Sequence, residues 1–280
     1  MTPRIRLIAL DIDGTLLRSD KTVAPRTRAA IDLARARGVR LVLVTGRRYP
    51  SARRVADELG GDVPLVLHNG ALVVEDGRVL RCRPLAVDVA RRTIAIGRAL
   101  GLEPVLHCGA NGEGLLLVAA SATRSGLVRY YLERSRDEVR VVDDLVAALE
   151  LEVAIQVMFG GTREETDALR ERLARELGGC ARLERTVYPV NDLVLLDVVD
   201  PGVGKAEALA FVQRRWAIRG EETLAIGDNW NDREMVEAAG LGFVMGNADP
   251  ELLALGLPTL PTNDEDGVAC AVERHVLTAG

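Results

Sequence analysis

Lysine is almost absent from this sequence. Of its 36 basic residues, only Lys21 and Lys205 are lysines and the rest are arginines. A lysine ammonium is a compact point charge, whereas the arginine guanidinium is planar and binds through a fork of donors. In a chain that uses arginine almost everywhere else, the position of each lysine therefore requires an explanation.

Long apolar segments, paired cysteines and an excess of positive charge are also missing. No apolar run is long enough to cross a bilayer, and no signal-peptide cleavage pattern precedes Asp11, so we expect a cytoplasmic protein with no membrane partner. A formal net charge of −5 argues against a nucleic-acid partner, which favours basic clusters. A small anionic substrate needs only a local positive pocket. The widely spaced cysteines are expected to be structural: Cys82, Cys108, Cys180 and Cys270.

Length and hydrophobic patterning predict an α/β fold in two unequal domains. The 280 residues are 48% hydrophobic and 28% charged, as in soluble globular proteins with a sizeable core. Short apolar runs alternate with helical patterns near both ends, which predicts a Rossmann-like, doubly wound parallel sheet. The predicted strands of this sheet are 4–10, 39–44, 64–67, 193–199, 223–226 and 241–245, with a hairpin at 72–80. The predicted helices are 25–37, 51–59, 204–216 and 232–239.

The middle of the chain has a different pattern. Predicted helices at 87–100, 123–134 and 163–177 are interleaved with strands such as 115–119 and 153–159. We interpret this segment as an inserted α+β domain. The predicted boundaries are 1–82 together with 191–280 for the core, and 83–190 for the inserted domain.

Two aspartates stand directly after the first predicted strand, in the run Asp11-Ile12-Asp13-Gly14-Thr15. Residues two apart in an extended segment point to the same side, so both carboxylates can face one cleft. Taken alone, such a run also fits polar residues that simply end a strand.

Three further polar clusters follow predicted strands in the same way. They are Thr45-Gly46-Arg47, Lys205, and the run Gly227-Asp228-Asn229-Trp230-Asn231-Asp232. The carboxyl ends of parallel strands meet at one edge of a sheet, which is where open α/β sheets bind ligands. The sequence therefore predicts a site assembled from four separated segments.

These four segments resemble, in order, the four motifs of the haloacid dehalogenase superfamily of phosphotransferases. Within it they are most similar to the Cof-type class IIB sugar-phosphatase-like hydrolases, whose inserted cap follows the second motif. The resemblance spans nearly the whole chain, with supporting matches at Asn69-Gly70-Ala71, Met245-Gly246-Asn247-Ala248 and Asp266-Gly267-Val268-Ala269. It departs at Gly204, where a polar residue often precedes the lysine, and at the bulky Trp230. Neither departure removes a catalytic group.

The resemblance implies a role for each motif residue. Asp11 is expected to attack phosphorus, and Asp13 to protonate the leaving oxygen and then activate water, so that two easier steps replace one. Thr45 is expected to donate a hydrogen bond to the phosphoryl group, and Lys205 to contact both that group and Asp11. The candidates for contact with the substrate are Arg47, Asn69, Asn231 and, further, Asn191.

The convergence of four aspartates requires a cation. Two like charges about 4 Å apart repel by roughly 4 kcal/mol at an effective dielectric constant of ~20. Oxygen-only ligands and phosphate chemistry favour Mg²⁺ as the cofactor. By resemblance its ligands are the Asp11 carboxylate, the Asp13 backbone carbonyl and Asp228, with Asp232 supporting them.

The expected function is that of a Mg²⁺-dependent phosphatase of small phosphorylated metabolites such as sugar phosphates, acting as a monomer or homodimer. The inserted domain is expected to recognise the leaving group. Two alternatives remain. A phosphomutase of the same superfamily would have its cap between the first two motifs, where only about 30 residues separate Asp13 from Thr45. A non-catalytic sensor of phosphometabolites would not need the acid/base residue Asp13.

Overall fold

The computed structural model describes residues 4–120, 138–188 and 193–278. The predicted helix 123–134 and the candidate residue Asn191 lie outside the described residues. The chain divides into two compact units. The first comprises Met1–Arg47, Ser51–Arg78 and Gly204–Gly280, and the second comprises Arg48–Pro50 and Val79–Val203.

The regular elements of the described residues are numbered here in chain order. The strands are β1 Leu7–Leu10, β2 Arg40–Val44, β3 Leu65–Leu67, β4 Leu72–Glu75, β5 Arg78–Cys82, β6 Val105–Cys108, β7 Leu115–Ala119, β8 Val139–Val142, β9 Ala154–Gly161, β10 Arg182–Tyr188, β11 Leu193–Val199, β12 Thr223–Gly227 and β13 Leu241–Val244. The α-helices are α1 Pro25–Ala36, α2 Tyr49–Glu58, α3 Val87–Arg98, α4 Leu145–Ala148, α5 Arg163–Leu177, α6 Lys205–Arg215, α7 Arg233–Ala238, α8 Pro250–Leu253 and α9 Gly267–Val272. Among these residues, no helix combines the length and the apolar character needed to span a membrane.

The first sheet has the strand order β13-β12-β1-β2-β3-β4-β5. Strands β13, β12, β1, β2 and β3 pair in parallel, and β4 runs antiparallel to β3. The order reverses at β1, because β2 and β3 lie on one side of it and β12 and β13 on the other. Right-handed crossovers then place α1 and α7 on opposite faces of the sheet. The predicted doubly wound α/β fold is confirmed.

The local sequence explains these elements. Strand β1 is apolar throughout and fully buried, as expected for a parallel strand that is covered on both faces. Helix α1 begins at Pro25, whose missing N–H costs nothing at that position, and it ends before Gly38, which adopts the left-handed conformation. The turn between β4 and β5 uses Asp76 and Gly77, both at positive φ, as a two-residue hairpin requires.

The second sheet has the strand order β10-β11-β9-β6-β7-β8. All of its described pairs are antiparallel except β7 with β8. Helices α3 and α5 pack together and against β9. Helix α5 begins with a capping box in which Thr162 and Glu165 each accept from the backbone of the other.

One predicted strand belongs to a different sheet from the one expected. The sequence pattern predicts 193–199 as a strand of the core sheet, but β11 pairs with β10 and β9 in the second sheet. Strand β10 ends at Tyr188, only four residues before β11 begins at Leu193. Such a short connection permits antiparallel pairing with the preceding strand, whereas a parallel neighbour needs a crossover of a dozen or more residues.

The packing of α3 on the second sheet can be tested at Gly97. A Cβ at this position would collide with the Phe159 ring on β9. We expect Gly97→Ala to lower the free energy of unfolding by about 1–3 kcal/mol, which is the usual cost of overpacking a core. The measurement is urea denaturation followed by circular dichroism.

The matched control is Gly179→Ala, because a Cβ there meets no atom within 4 Å and the φ is not left-handed. Its effect should stay within about 0.5 kcal/mol. Equal stability of the two variants would show that Gly97 and Phe159 are not in close contact.

Candidate active site

The carboxyl ends of three neighbouring parallel strands carry the predicted site residues. Asp11 follows β1, Thr45 follows β2 and Asp228 follows β12, and all three are buried. They lie where the strand order reverses, which is the usual ligand position in doubly wound sheets.

Lys205 reaches this edge from the first residue of α6. Its Nζ donates to Asp11 Oδ1 at 2.7 Å and to Asp232 Oδ1 at 2.6 Å, and its side chain is only 2% exposed. The strand 193–199 that precedes Lys205 is predicted in the same sheet as Asp11, and this prediction is wrong because β11 lies in the second sheet. Lys205 nevertheless meets Asp11 from the start of a helix. The residue before it, Gly204, packs so closely against the turn at Gly70 that a side chain at residue 70 would collide with its backbone.

The two aspartates of the first motif form ion pairs with different basic side chains. Arg47 makes a two-pronged ion pair with Asp13, with Nε 2.6 Å from Oδ2 and an Nη 2.8 Å from Oδ1. The ammonium of Lys21 lies 3.4 Å from Asp13 Oδ1. Burial opposes ionisation of Asp13, but the Arg47 guanidinium and then Lys21 hold the pKa of that carboxyl below its ordinary value. Asp13 is therefore an ionised, clamped carboxylate in this structure.

Gly14 allows the loop of the first motif to lie against Asp228. It has φ +78°, and a Cβ there would collide with the Asp228 carboxylate. Thr15 Oγ1 donates to Asp228 Oδ1 at 3.0 Å across 213 residues of sequence. A side chain at residue 14 would be both strained and obstructed.

Three buried carboxylates form a cluster at this edge. Asp11, Asp228 and Asp232 each offer an oxygen, and these oxygens all lie within 4.8 Å of one another. The oxygens of Asp232 are already engaged, since Oδ1 accepts from Lys205 and Oδ2 accepts from the backbone N–H groups of Asp228 and Asn229. Asp11 and Asp228 are thus better placed than Asp232 to bind a cation directly.

The electrostatics of the cluster fit a divalent cation. Burial, opposed by Lys205 and assisted by Asp232, raises the pKa of Asp11 to about 7. Burial and the neighbouring carboxylates Asp11 and Asp232 raise the pKa of Asp228 well above its ordinary value. Burial by itself would lower the pKa of Lys205, but Asp11 and Asp232 raise it, so the ammonium stays charged. One ammonium does not neutralise three ionised carboxylates, and a hard dication, which prefers oxygen ligands, would supply the missing charge.

Asn69 and Asn231 meet beside the second motif. Asn231 Nδ2 donates to Asn69 Oδ1 at 3.0 Å, and the Asn69 N–H donates to the Thr45 carbonyl at 3.1 Å. Asn69 is buried and adopts a left-handed conformation, with φ 56°. The Thr45 hydroxyl oxygen accepts from the Arg47 N–H at 3.1 Å, which leaves the hydroxyl proton available to a ligand.

The structure brings together all nine residues that the sequence nominated within the described ranges. These are Asp11, Asp13, Thr45, Arg47, Asn69, Lys205, Asp228, Asn231 and Asp232. Sequence reasoning missed Thr15 and Lys21 as members of the cluster. Thr15 had no signal beyond its place in the motif, whereas the scarcity of lysine was a signal for Lys21: both lysines of the chain contact an aspartate of the first motif.

The fold and the centre define the class of protein, an α/β enzyme with a buried carboxylate–lysine cluster at the edge of a doubly wound sheet. The family model of the haloacid dehalogenase-like hydrolases matches residues 8–272, so the chain belongs to this family. The resemblance seen in the motifs is confirmed, and with it the prediction of a phosphatase-type hydrolase.

Similar proteins match over almost the full chain. The sequence is 29% identical over 280 residues to the 5-amino-6-(5-phospho-D-ribitylamino)uracil phosphatase YitU of Bacillus subtilis. The alignment covers 96% of this chain and 97% of that protein. The sequence is also 30% identical over 264 residues to the HMP-PP phosphatase of Serratia proteamaculans, covering 91% and 88%. A solved haloacid dehalogenase-like hydrolase from Bacteroides thetaiotaomicron has a TM-score of 0.79 at 27% identity, covering 97% and 99%.

The raised pKa of Asp11 predicts that the stability of the metal-free protein falls between pH 6 and pH 8. Its pKa rises from 3.8 to about 7 on folding, so the folded protein binds a proton that the unfolded chain has lost. The stability that this bound proton contributes is lost as the pH rises through the pKa of Asp11 in the folded protein. We expect the free energy of unfolding to fall by about 1 kcal/mol between pH 6 and pH 8. Urea denaturation in the presence of a chelator at both pH values measures it.

Asp11→Asn provides the control, because an amide does not titrate and the pH dependence should shrink in that variant. Saturating Mg²⁺ should stabilise the unaltered protein more at pH 8 than at pH 6, since the ion binds ionised carboxylates. If the free energy of unfolding falls equally with pH in both proteins, the titrating group is not Asp11.

Proposed function

We propose that this protein is a Mg²⁺-dependent phosphatase that hydrolyses small phosphorylated metabolites through an aspartyl-phosphate on Asp11. The observation that carries the proposal is the buried Asp11 carboxylate, held by Lys205 beside Asp228 at the carboxyl edge of the sheet. Family membership supports a hydrolase, and the arrangement supplies a nucleophile with adjacent positive charge, as phosphoryl transfer requires.

The residues that would hold Mg²⁺ are the Asp11 carboxylate, the Asp13 backbone carbonyl and the Asp228 carboxylate. When bound, the ion neutralises charge on the phosphoryl oxygens and on the attacking carboxylate. Asp232 is assigned a supporting role, because its oxygens accept from Lys205 and from the backbone of the Asp228 loop. It thereby orients the ammonium and the loop that carries Asp228.

In the first step, an oxygen of Asp11 attacks phosphorus and the bond from phosphorus to the leaving oxygen breaks. Once the ion pair with Arg47 opens, burial favours the protonated form of Asp13, which gives its proton to that oxygen, and an alcohol departs. In the second step, Asp13 takes a proton from water as the water oxygen attacks phosphorus. The bond between phosphorus and Asp11 then breaks, which releases inorganic phosphate and restores both aspartates.

Arg47 connects substrate binding with the state of Asp13. Both oxygens of Asp13 are occupied by the guanidinium in this structure. Asp13 can approach a leaving oxygen only when at least one of these bonds opens. We infer that the negative charge of the substrate phosphate attracts the Arg47 guanidinium away from Asp13. Thr45 donates its hydroxyl proton to a phosphoryl oxygen, and Asn69 and Asn231 lie beside the phosphoryl group.

The substrate is proposed to be a small cytoplasmic phosphate ester. Two similar proteins are named as phosphatases of phosphorylated small molecules. A net charge of −5 does not favour binding to the negatively charged backbone of a nucleic acid. The catalytic residues all belong to the first unit. Discrimination among leaving groups is therefore assigned to the inserted segment predicted at 83–190.

Turnover of p-nitrophenyl phosphate tests the proposed function directly. We expect hydrolysis that requires added Mg²⁺ and disappears with EDTA, because the acidic cluster needs a cation to accept an anionic substrate. A panel of phosphorylated metabolites, ranked by kcat/KM, should then show higher values for one chemical class. The absence of EDTA-sensitive hydrolysis across the panel would reject the phosphatase and favour a phosphometabolite sensor, and transfer of phosphate within a sugar would favour a mutase.

The covalent step predicts a burst in one variant. In Asp13→Asn the first step still proceeds with p-nitrophenyl phosphate, because p-nitrophenolate leaves without a proton, but the second step lacks its base. We expect about one p-nitrophenolate per active site to be released rapidly, followed by turnover about 10²–10⁴-fold slower than in the unaltered enzyme. Stopped-flow absorbance measures both phases.

Asp11→Asn is the matched control, an isosteric change at the other aspartate of the same motif. It should show neither burst nor turnover, and no acid-stable phosphate should remain bound to it. A burst of equal size in Asp11→Asn would place the covalent intermediate on another residue.

A further inference from the structure

The segment that follows β13 touches both loops that carry the metal-binding carboxylates. Asn247 Nδ2 donates to the Gly14 carbonyl at 2.8 Å, across 233 residues of sequence. Two residues later, the Asp249 N–H donates to the Asp228 carbonyl at 2.8 Å. One short segment therefore links the loop of Asp11 and Asp13 to the loop of Asp228.

Asn247 is itself held in place by a second asparagine. The Asn263 N–H donates to Asn247 Oδ1 at 2.9 Å, and Asn263 Nδ2 donates to the Leu17 carbonyl at 2.8 Å. A carbonyl on one side and an N–H on the other fix which end of the Asn247 amide is the donor. The two asparagines thus bind the first-motif loop at Gly14 and at Leu17.

The position of the Gly14 carbonyl affects the geometry of the proposed metal site. Gly14 directly follows Asp13, whose backbone carbonyl is a proposed ligand, and it packs against the Asp228 carboxylate. A shift of Gly14 would change the spacing between the oxygens of the two loops. Mg²⁺ demands nearly octahedral ligands at about 2.0–2.1 Å, so a small change in spacing lowers its affinity.

We infer that Asn247 is a positioning residue for the metal site, and that it acts by fixing the Gly14 carbonyl relative to Asp228. Asn247 is exposed and its contacts are with protein groups. Its amide acts through the loop and not on the reacting atoms. The inference rests on the Mg²⁺ site of the proposed function and adds to it a residue outside the four motifs.

The test is the dissociation constant of Mg²⁺ for the substrate-free protein, measured by isothermal titration calorimetry. Asn247→Ala removes the donor and leaves the Gly14 carbonyl to water, so we expect about tenfold weaker binding, as for the loss of one well-placed hydrogen bond. At saturating Mg²⁺, kcat for p-nitrophenyl phosphate should return to within about threefold of the unaltered enzyme. A residue that only stabilised the fold would lower the melting temperature and leave the dissociation constant unchanged.

Two further variants complete the experiment. Asn111→Ala is the matched control, because Asn111 is also exposed and donates its amide to a neighbouring side chain, Glu113, in the second unit. It should bind Mg²⁺ like the unaltered protein. Asn263→Ala keeps the backbone N–H that orients Asn247 and removes only the amide that binds the Leu17 carbonyl, so its affinity for Mg²⁺ should fall between that of Asn247→Ala and that of the unaltered protein.

The outcomes separate the inference from the proposed function. Failure of the unaltered protein to bind Mg²⁺ would overturn both. Binding by the unaltered protein, with an Asn247→Ala dissociation constant within twofold of it, would overturn the inference alone. If Asn247→Ala does not fold, Asn247→Leu decides, because leucine is similar in size but has no donor for the Gly14 carbonyl: weaker binding supports the role of Asn247, and unchanged binding overturns it.

Discussion

The site depends on one buried ion cluster, in which the ammonium of Lys205 lies between Asp11 and Asp232. Removing an ammonium and two carboxylates from water costs several kcal/mol per ion, and close contact between the opposite charges offsets that cost only when the geometry is good. Asp228, beside them, has no cation of this kind among its described contacts and accepts from the Thr15 hydroxyl. With all three carboxylates ionised, the cluster would hold more negative than positive charge. A bound dication would offset this excess of negative charge, and without one the protonation of Asp11 depends on pH near neutrality.

The fold brings these groups together by the reversal of strand order at β1. Asp11 and Asp228 follow adjacent parallel strands, so the sheet itself sets the distance between their loops. Lys205 comes from a helix and not from a strand, and it enters where the Gly70 turn meets the start of α6. Backbone close packing at Gly14 and Gly70 lets charged side chains meet without intervening atoms. The strands set the approximate positions of the charged side chains, and the loops set their final contacts.

Hydrogen bonds to the backbone complete the arrangement. Asn69 and Asn247 both bind carbonyls of motif loops from sites that are remote in sequence, and Asp232 accepts from the N–H groups of its own loop. A buried or half-buried carbonyl without a donor is costly, so each such bond favours a single loop conformation. Preorganisation of this kind suits phosphoryl transfer, in which catalysis comes mainly from positioned charge. The ion pair between Arg47 and Asp13 is the exception, since the proposed mechanism requires it to open.

The amino-acid sequence predicts the strand-end motifs, the parallel sheet and the meeting of Asp11, Thr45 and Asp228, because apolar periodicity and residue order are local and the carboxyl ends of parallel strands share one edge. The sheet to which Leu193–Val199 belongs is known only from the folded chain, since an apolar strand pattern does not encode its partner. Tertiary structure also decided that Arg47 and Lys21 bind Asp13 while Lys205 binds Asp11. Ion pairing falls off with distance through space, and no local pattern in the chain records which charges the finished fold will bring within 4 Å.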